Sequence, residues 1–100
     1  MATTTKALFR GAAATTSTTL YTVPASTTTV VTNIVVTNTA GTAATFTLTL
    51  DGVALATTVS VAANDSVIID LKQVLATTKV IAGLASATTV NFHISGVEIS

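Results

Sequence analysis

From Thr45 to Leu50 the chain reads Thr-Phe-Thr-Leu-Thr-Leu, and Asp51-Gly52 follows at once. Phe46, Leu48 and Leu50 fall on one face of an extended chain and three threonines on the other, the period of two that belongs to a strand with one solvated side. Asp-Gly suits a two-residue type I′ turn, whose central residues both need positive φ. The register that such a turn predicts pairs Leu50 with Val53, Leu48 with Leu55 and Phe46 with Thr57, and sets Thr49 against Ala54 and Thr47 against Ala56. One face of the hairpin is then almost entirely large and apolar, so pattern and turn agree. Phe46, Leu48, Leu50, Val53 and Leu55 are the expected core face.

The rest of the chain has the composition of a sheet protein. Of 100 residues, 24 are Thr, 17 Ala and 13 Val. The β-branched residues among these lose rotamer freedom in a helix and fit a half-buried pleated surface. Further strands are expected at Lys6 to Ala12, Thr19 to Val23, Thr29 to Asn38, Ser66 to Leu71, Lys79 to Leu84 and Val90 to Ile99, separated by Pro24, Ala40-Gly41, Ala63-Asn64-Asp65 and Ala85-Ser86-Ala87. Short strands with turn signals between them and no long helical pattern predict a single antiparallel β-sandwich, jelly-roll-like or Ig-like, of about seven or eight strands. Leu71, Val74 and Leu75 have i, i+3, i+4 spacing and predict one helical turn at an end of the sandwich. In the last strand Val90, Phe92 and Ile94 share a face, whereas Val97 and Ile99 are the apolar pair beyond Gly96, a change of phase that predicts a β-bulge at the glycine.

Residues 1 to 17 are low in complexity, with Thr3-Thr4-Thr5 before and Ala12-Ala13-Ala14-Thr15-Thr16-Ser17 after the pair Leu8-Phe9. This segment reads equally as a first strand or as an arm that orders against another chain, with the sandwich itself spanning residues 18 to 100. Lys6, Leu8, Phe9 and Arg10 are its candidate partner contacts.

Chemistry has little to work with. Four basic and four acidic residues give zero formal net charge, and Lys6, Arg10, Lys72 and Lys79 are too few and too scattered for a phosphate backbone, so nucleic acid is not an expected partner. No apolar run approaches the roughly 18 to 20 residues that cross a bilayer, and no secretory signal is expected near the start. The absence of Cys leaves the redox compartment open. His93 is the single histidine and shares the polar face of Asn91 and Ser95, the ordinary place for a strand-surface histidine. Asp51, Asp65, Asp70 and Glu98 are isolated from one another, no His cluster offers a metal site, and Ala63-Asn64-Asp65-Ser66 suits an Asx-type turn better than a calcium loop. The five glycines are too far apart for a phosphate cradle. No catalytic residue, metal or cofactor is therefore expected, and the chain reads as no enzyme.

Several stretches carry a resemblance: Leu20-Tyr21-Thr22-Val23-Pro24-Ala25, the run from Thr32 to Thr39, the Asp51-Gly52 hairpin, and the close at Gly96-Val97-Glu98-Ile99. Together they resemble small β-sandwich virion structural proteins of tailed bacteriophages across nearly the whole chain. The resemblance implies a capsid decoration or cement protein, or else a neck, tail, baseplate or fibre component, made in the host bacterial cytoplasm and resident in the virion. It implies major capsid or other virion proteins as partners and a homo-oligomer, a trimer before rings of other order. A charged fraction of 8% suits a neutral surface in a dense, symmetric assembly, although threonine hydroxyls also hydrate a free one. An adhesive or carbohydrate-binding sandwich is the competing reading, with Tyr21 and Phe9 as the available aromatics.

Overall fold

The computed structural model describes residues 2 to 100; Met1, the first residue of the N-terminal segment, lies outside the described residues. Eight strands follow one another: β1 (Thr3–Ala12), β2 (Thr18–Thr22), β3 (Thr28–Asn38), β4 (Ala44–Leu50), β5 (Val53–Val61), β6 (Ser66–Leu75), β7 (Val80–Ala85) and β8 (Val90–Ile99). They form two four-stranded antiparallel sheets, ordered β1-β8-β3-β6 and β2-β7-β4-β5. Every connection except β4 to β5 crosses from one sheet to the other. Strands pair β1 with β8, β2 with β7, β3 with β6 and β4 with β5, as though one long hairpin closed at Asp51-Gly52 had been rolled up. This is jelly-roll order and not that of an immunoglobulin sandwich.

The turn that closes the roll behaves as its sequence requires, with φ of 54° at Asp51 and 73° at Gly52. The core between the sheets is built from the alternating faces of β3, β4, β7 and β8. Val31, Ile34, Val36, Phe46, Leu48, Ile81, Val90, Phe92 and Ile94 are all buried. Phe46 and Phe92 meet edge to face across the sheets, with centroids 6.1 Å apart.

A polar group closes each end of this core. At one end Asn38 is buried, its amide donating to the Thr42 carbonyl at 2.7 Å while its Oδ1 accepts from the Ala40 N–H at 3.1 Å and from the Thr89 hydroxyl at 3.2 Å. At the other, Tyr21 reaches from β2 across to Thr29 on β3 and Glu98 on β8. Each of these groups is satisfied, as burial demands.

Three sequence expectations are corrected: the hairpin's register with its core face, the helical turn at Leu71 to Leu75, and the bulge at Gly96. In the hairpin, Leu50 faces Val53 and Thr49 faces Ala54, but Leu48 faces Ala56 and Phe46 faces Val59. Leu55 is an extra residue against the Leu48-Thr49 step, and Thr57-Thr58 bulge opposite Thr47, whose hydroxyl accepts the Thr58 N–H at 3.0 Å. A turn type fixes register only as far as the first bulge. Val53 and Leu55 are consequently exposed and not part of the core face, because β5 is the margin of its sheet.

Leu71 to Leu75 form no helical turn but continue β6. Val67, Ile69, Leu71 and Leu75 turn inward on a period of two, and Gln73, Val74 and Leu75 pair with Val31, Val30 and Thr29 of β3. A three-residue match to helical spacing is weaker than that ladder. At Gly96, β8 keeps its phase: Gly96 follows Val90, Phe92 and Ile94 on the inner face, and Val97 and Ile99 lie on the outer one. The irregularity sits on the neighbours, with Leu8 of β1 an extra residue beside the Ile94-Ser95 step and Thr32 of β3 one beside the Ser95-Gly96 step. A Cβ at position 96 would run into the Val30 carbonyl and the Leu8 side chain, so the glycine serves close approach and not a turn. Finally, residues 3 to 12, for which arm and strand were both open, lie along β8 as strand β1, and the ladder runs on to reciprocal bonds between Ala2 and Ser100 at 2.8 and 2.9 Å.

Candidate functional site

Three ionisable side chains, Tyr21, Glu98 and Lys6, converge at the mouth of the core beside β1. Thr4 and Lys6 on β1 share the inner phase with Gly96 and Glu98 on β8, and Thr29 of β3 faces Glu98. Tyr21 enters from the opposite sheet, its hydroxyl bonding Glu98 and lying 2.9 Å from the Thr29 hydroxyl; Lys6 Nζ approaches Glu98 Oε2 at 3.4 Å. Burial first, and then the hydrogen bond to Glu98, push the Tyr21 pKa up to about 12. The hydrogen bond from Tyr21, seconded by Lys6, holds Glu98 below the usual carboxylate range. Near neutrality the phenol keeps its proton and the carboxylate stays charged, so neither is poised to exchange a proton. The cluster is a strut that ties the two sheets together.

His93 stands half-buried on the outer face of β8, between Arg10 of β1 and Val35 of β3 in the register, with no nucleophile or carboxylate among those cross-strand neighbours. Among the described residues no group of three His, Cys, Asp or Glu side chains converges as a metal site would require. A shallow depression of about 310 Å³ lies between the end of β3 and the β5–β6 loop, lined by Thr37, Asn38, Thr39, Asn64, Asp65 and Ser66. Two of its polar groups hold the loop: Asp65 Oδ1 accepts the Ser66 N–H at 2.8 Å, and the Asn64 N–H bonds the Ala40 carbonyl at 3.0 Å.

The N-terminal contact residues separate by depth. Leu8 is buried and belongs to the core, Phe9 is half-buried against it, Lys6 is engaged with Glu98, and Arg10 is exposed. They share one strand but not one surface.

The large apolar side chains left to solvent are elsewhere. Among the described residues they are Val53 at 69% and Leu55 at 37% exposure on β5, and Ile68 at 71% and Val74 at 67% on β6. Both strands are edges, and they lie on the same side of the sandwich. β5 has no charged residue, whereas the outer face of β6 reads Ile68, Asp70, Lys72, Val74. Sequence reasoning missed this surface because it assigned Val53 and Leu55 to the core and the end of β6 to a helix. The available signal was the alternation of Ile68, Asp70, Lys72 and Val74 on even positions.

No family model matches the chain, and no curated protein matches it. Among solved structures it is weakly similar to the crystal structure of a pentameric capsid protein isolated from metagenomic phage sequences, at 22% identity and a TM-score of 0.42. The match covers 94% of this chain and 59% of that one, so the chain spans about three fifths of that protein's length.

Proposed function

We propose that this chain is a non-enzymatic structural protein of a tailed-phage virion, in the first place a capsid decoration or cement protein that works as a homo-oligomer on the major capsid protein. One observation carries the reading: the well-exposed large apolar side chains gather on two neighbouring edge strands of a chain with few charges, a surface fitted to being covered. The sequence resemblance to virion proteins supplies the setting. Jelly rolls serve as capsid domains but also as lectins and cupins, so the topology is compatible with the reading and does not select it.

Particles of a phage encoding the chain, purified on a density gradient, should carry it in fixed proportion to the capsid protein, and gold-labelled antibody should mark the head with a three-fold arrangement first among those sought. Label on the neck, tail or fibre would move the protein within the virion. Its absence from purified particles would overturn the proposal.

A further inference from the structure

We propose that β6 is a two-fold interface, along which a second copy of this chain pairs antiparallel so that the two β1-β8-β3-β6 sheets become one continuous eight-stranded sheet. The inference rests on the homo-oligomeric reading above and names the surface and the partner; its two-fold axis makes the unit a dimer, in place of the three-fold arrangement sought first. In an antiparallel pair related by a two-fold axis at Leu71, the numbers of facing residues sum to 142. Ile68 then faces the partner's Val74, and Asp70 faces the partner's Lys72. Each pair occurs twice. Residues of opposite charge and matched apolar residues thus meet directly opposite each other on one face, the arrangement that stabilises a β-ladder.

The isolated chain leaves these four side chains unused. Ile68 and Val74 are 71% and 67% exposed. The ion pairs among the described residues are Lys6–Glu98 and Lys79–Asp51, and neither includes Asp70 or Lys72. β3 occupies one side of β6, and the other side is the free edge of its sheet. Leu71 and Lys72 lie opposite Thr32 alone, yet β6 keeps its alternation there, with Ile69 and Leu71 inward and Asp70 and Lys72 outward. The opposite edge of this sheet, β1, has no comparable face: Thr3, Thr5 and Ala7 alternate with Thr4 and Lys6, and the apolar Leu8 is buried.

The test is charge exchange followed by sedimentation velocity across a concentration series. Asp70→Lys sets Lys against Lys at both ion-pair positions, and Lys72→Asp sets Asp against Asp; each is expected to weaken self-association about tenfold. The double variant Asp70→Lys/Lys72→Asp restores both pairs and should associate like the original chain. An equimolar mixture of the two single variants should form a heterodimer, since every facing pair is then of opposite sign. Both positions are exposed, and circular dichroism checks that each variant keeps its fold. A chain that stays monomeric at the highest concentration it tolerates overturns the β6 inference, while attachment to particles, measured separately, decides the virion reading. A chain that associates equally well in all variants, or single variants that fail to combine, places the copy-to-copy contact on another surface and also overturns it.

Discussion

The two long sides of the sandwich end differently. Along the β1–β2 side the sheets are tied together: Leu8 is buried, Tyr21 spans from one sheet to the other, and Lys6 and Glu98 close the mouth. Along the β5–β6 side the margin stands open, with Val53, Leu55, Ile68 and Val74 in solvent and the inward residues Val67, Ile69 and Leu71 only half covered. Both sides come from the same threonine- and valine-rich vocabulary. What separates them is where the few large and ionisable residues are placed, which makes one side a finished edge and leaves the other able to accept strands or side chains from outside.

The largest expected effect tests whether the closed side belongs to the core. Leu8→Ala should cost about 2 to 5 kcal/mol of unfolding free energy, because a buried side chain leaves a cavity, whereas Ile68→Ala should change the monomer by no more than about 0.5 kcal/mol. Denaturant titrations of both variants give the contrast directly. Equal losses would erase the difference between the sides. A negligible loss at Leu8 would return residues 3 to 12 to the status of an arm.

Gly96→Ala sharpens the same side from the backbone. The added methyl meets the Val30 carbonyl and the Leu8 side chain, so the strand must shift or Leu8 must leave its site, at about 1 to 3 kcal/mol. Placed in the Leu8→Ala background, the substitution should cost less than in the original chain, since one of its two obstacles is gone. Strict additivity of the two would show that the carbonyl alone is limiting.

These contrasts also show how much was legible beforehand. Strand number, turn chemistry and the inward face of β4 followed from local rules, because alternation and an Asp-Gly turn act over a few residues. The partners of Leu48 and Phe46 did not, because the bulges at Leu55 and at Thr57-Thr58 are set by contacts along the whole ladder. Glu98 was invisible as a core-closing group for the same reason: its role depends on Gly96 keeping phase and on Tyr21 arriving from a strand 77 residues away. The open edge was hidden by the assumption that apolar alternation always faces inward, which fails for an edge strand. The meeting of Tyr21, Glu98 and Lys6 in a strut had no local signal either.

That strut gives an effect of intermediate size with a clear pH signature. Tyr21→Phe removes the bonds to Glu98 and Thr29 and leaves the Thr29 hydroxyl buried without its partner, costing about 1 to 2 kcal/mol. Glu98 is depressed in the folded state, so its contribution is complete above its unfolded pKa and is lost as pH falls through the lower folded value. Tyr21 is raised to about 12 from 10.0, so its contribution is complete below the unfolded value and is lost as pH climbs between the two. The chain has one Tyr and no Trp, so phenolate absorbance reports this group alone. Titration at the ordinary tyrosine value in the folded protein would show that the strut is not formed, and Glu98→Gln should flatten the acid limb of stability.

The smallest effect on folding belongs to the open side and is the most informative about its purpose. Val53 is 69% exposed, so Val53→Lys should leave the unfolding free energy within about 0.5 kcal/mol of the original. The same change puts a charge on β5, a nine-residue edge strand that carries none. Lysine on an edge discourages pairing with another strand, both by desolvation on approach and by repulsion between copies. If β5 also receives another chain, whether a second copy or a capsid surface, the variant should bind particles less well with its melting temperature unchanged. If binding and stability are both untouched, contacts on this side are confined to β6 and its outer face, and β5 is an edge kept from indiscriminate pairing by its two bulges.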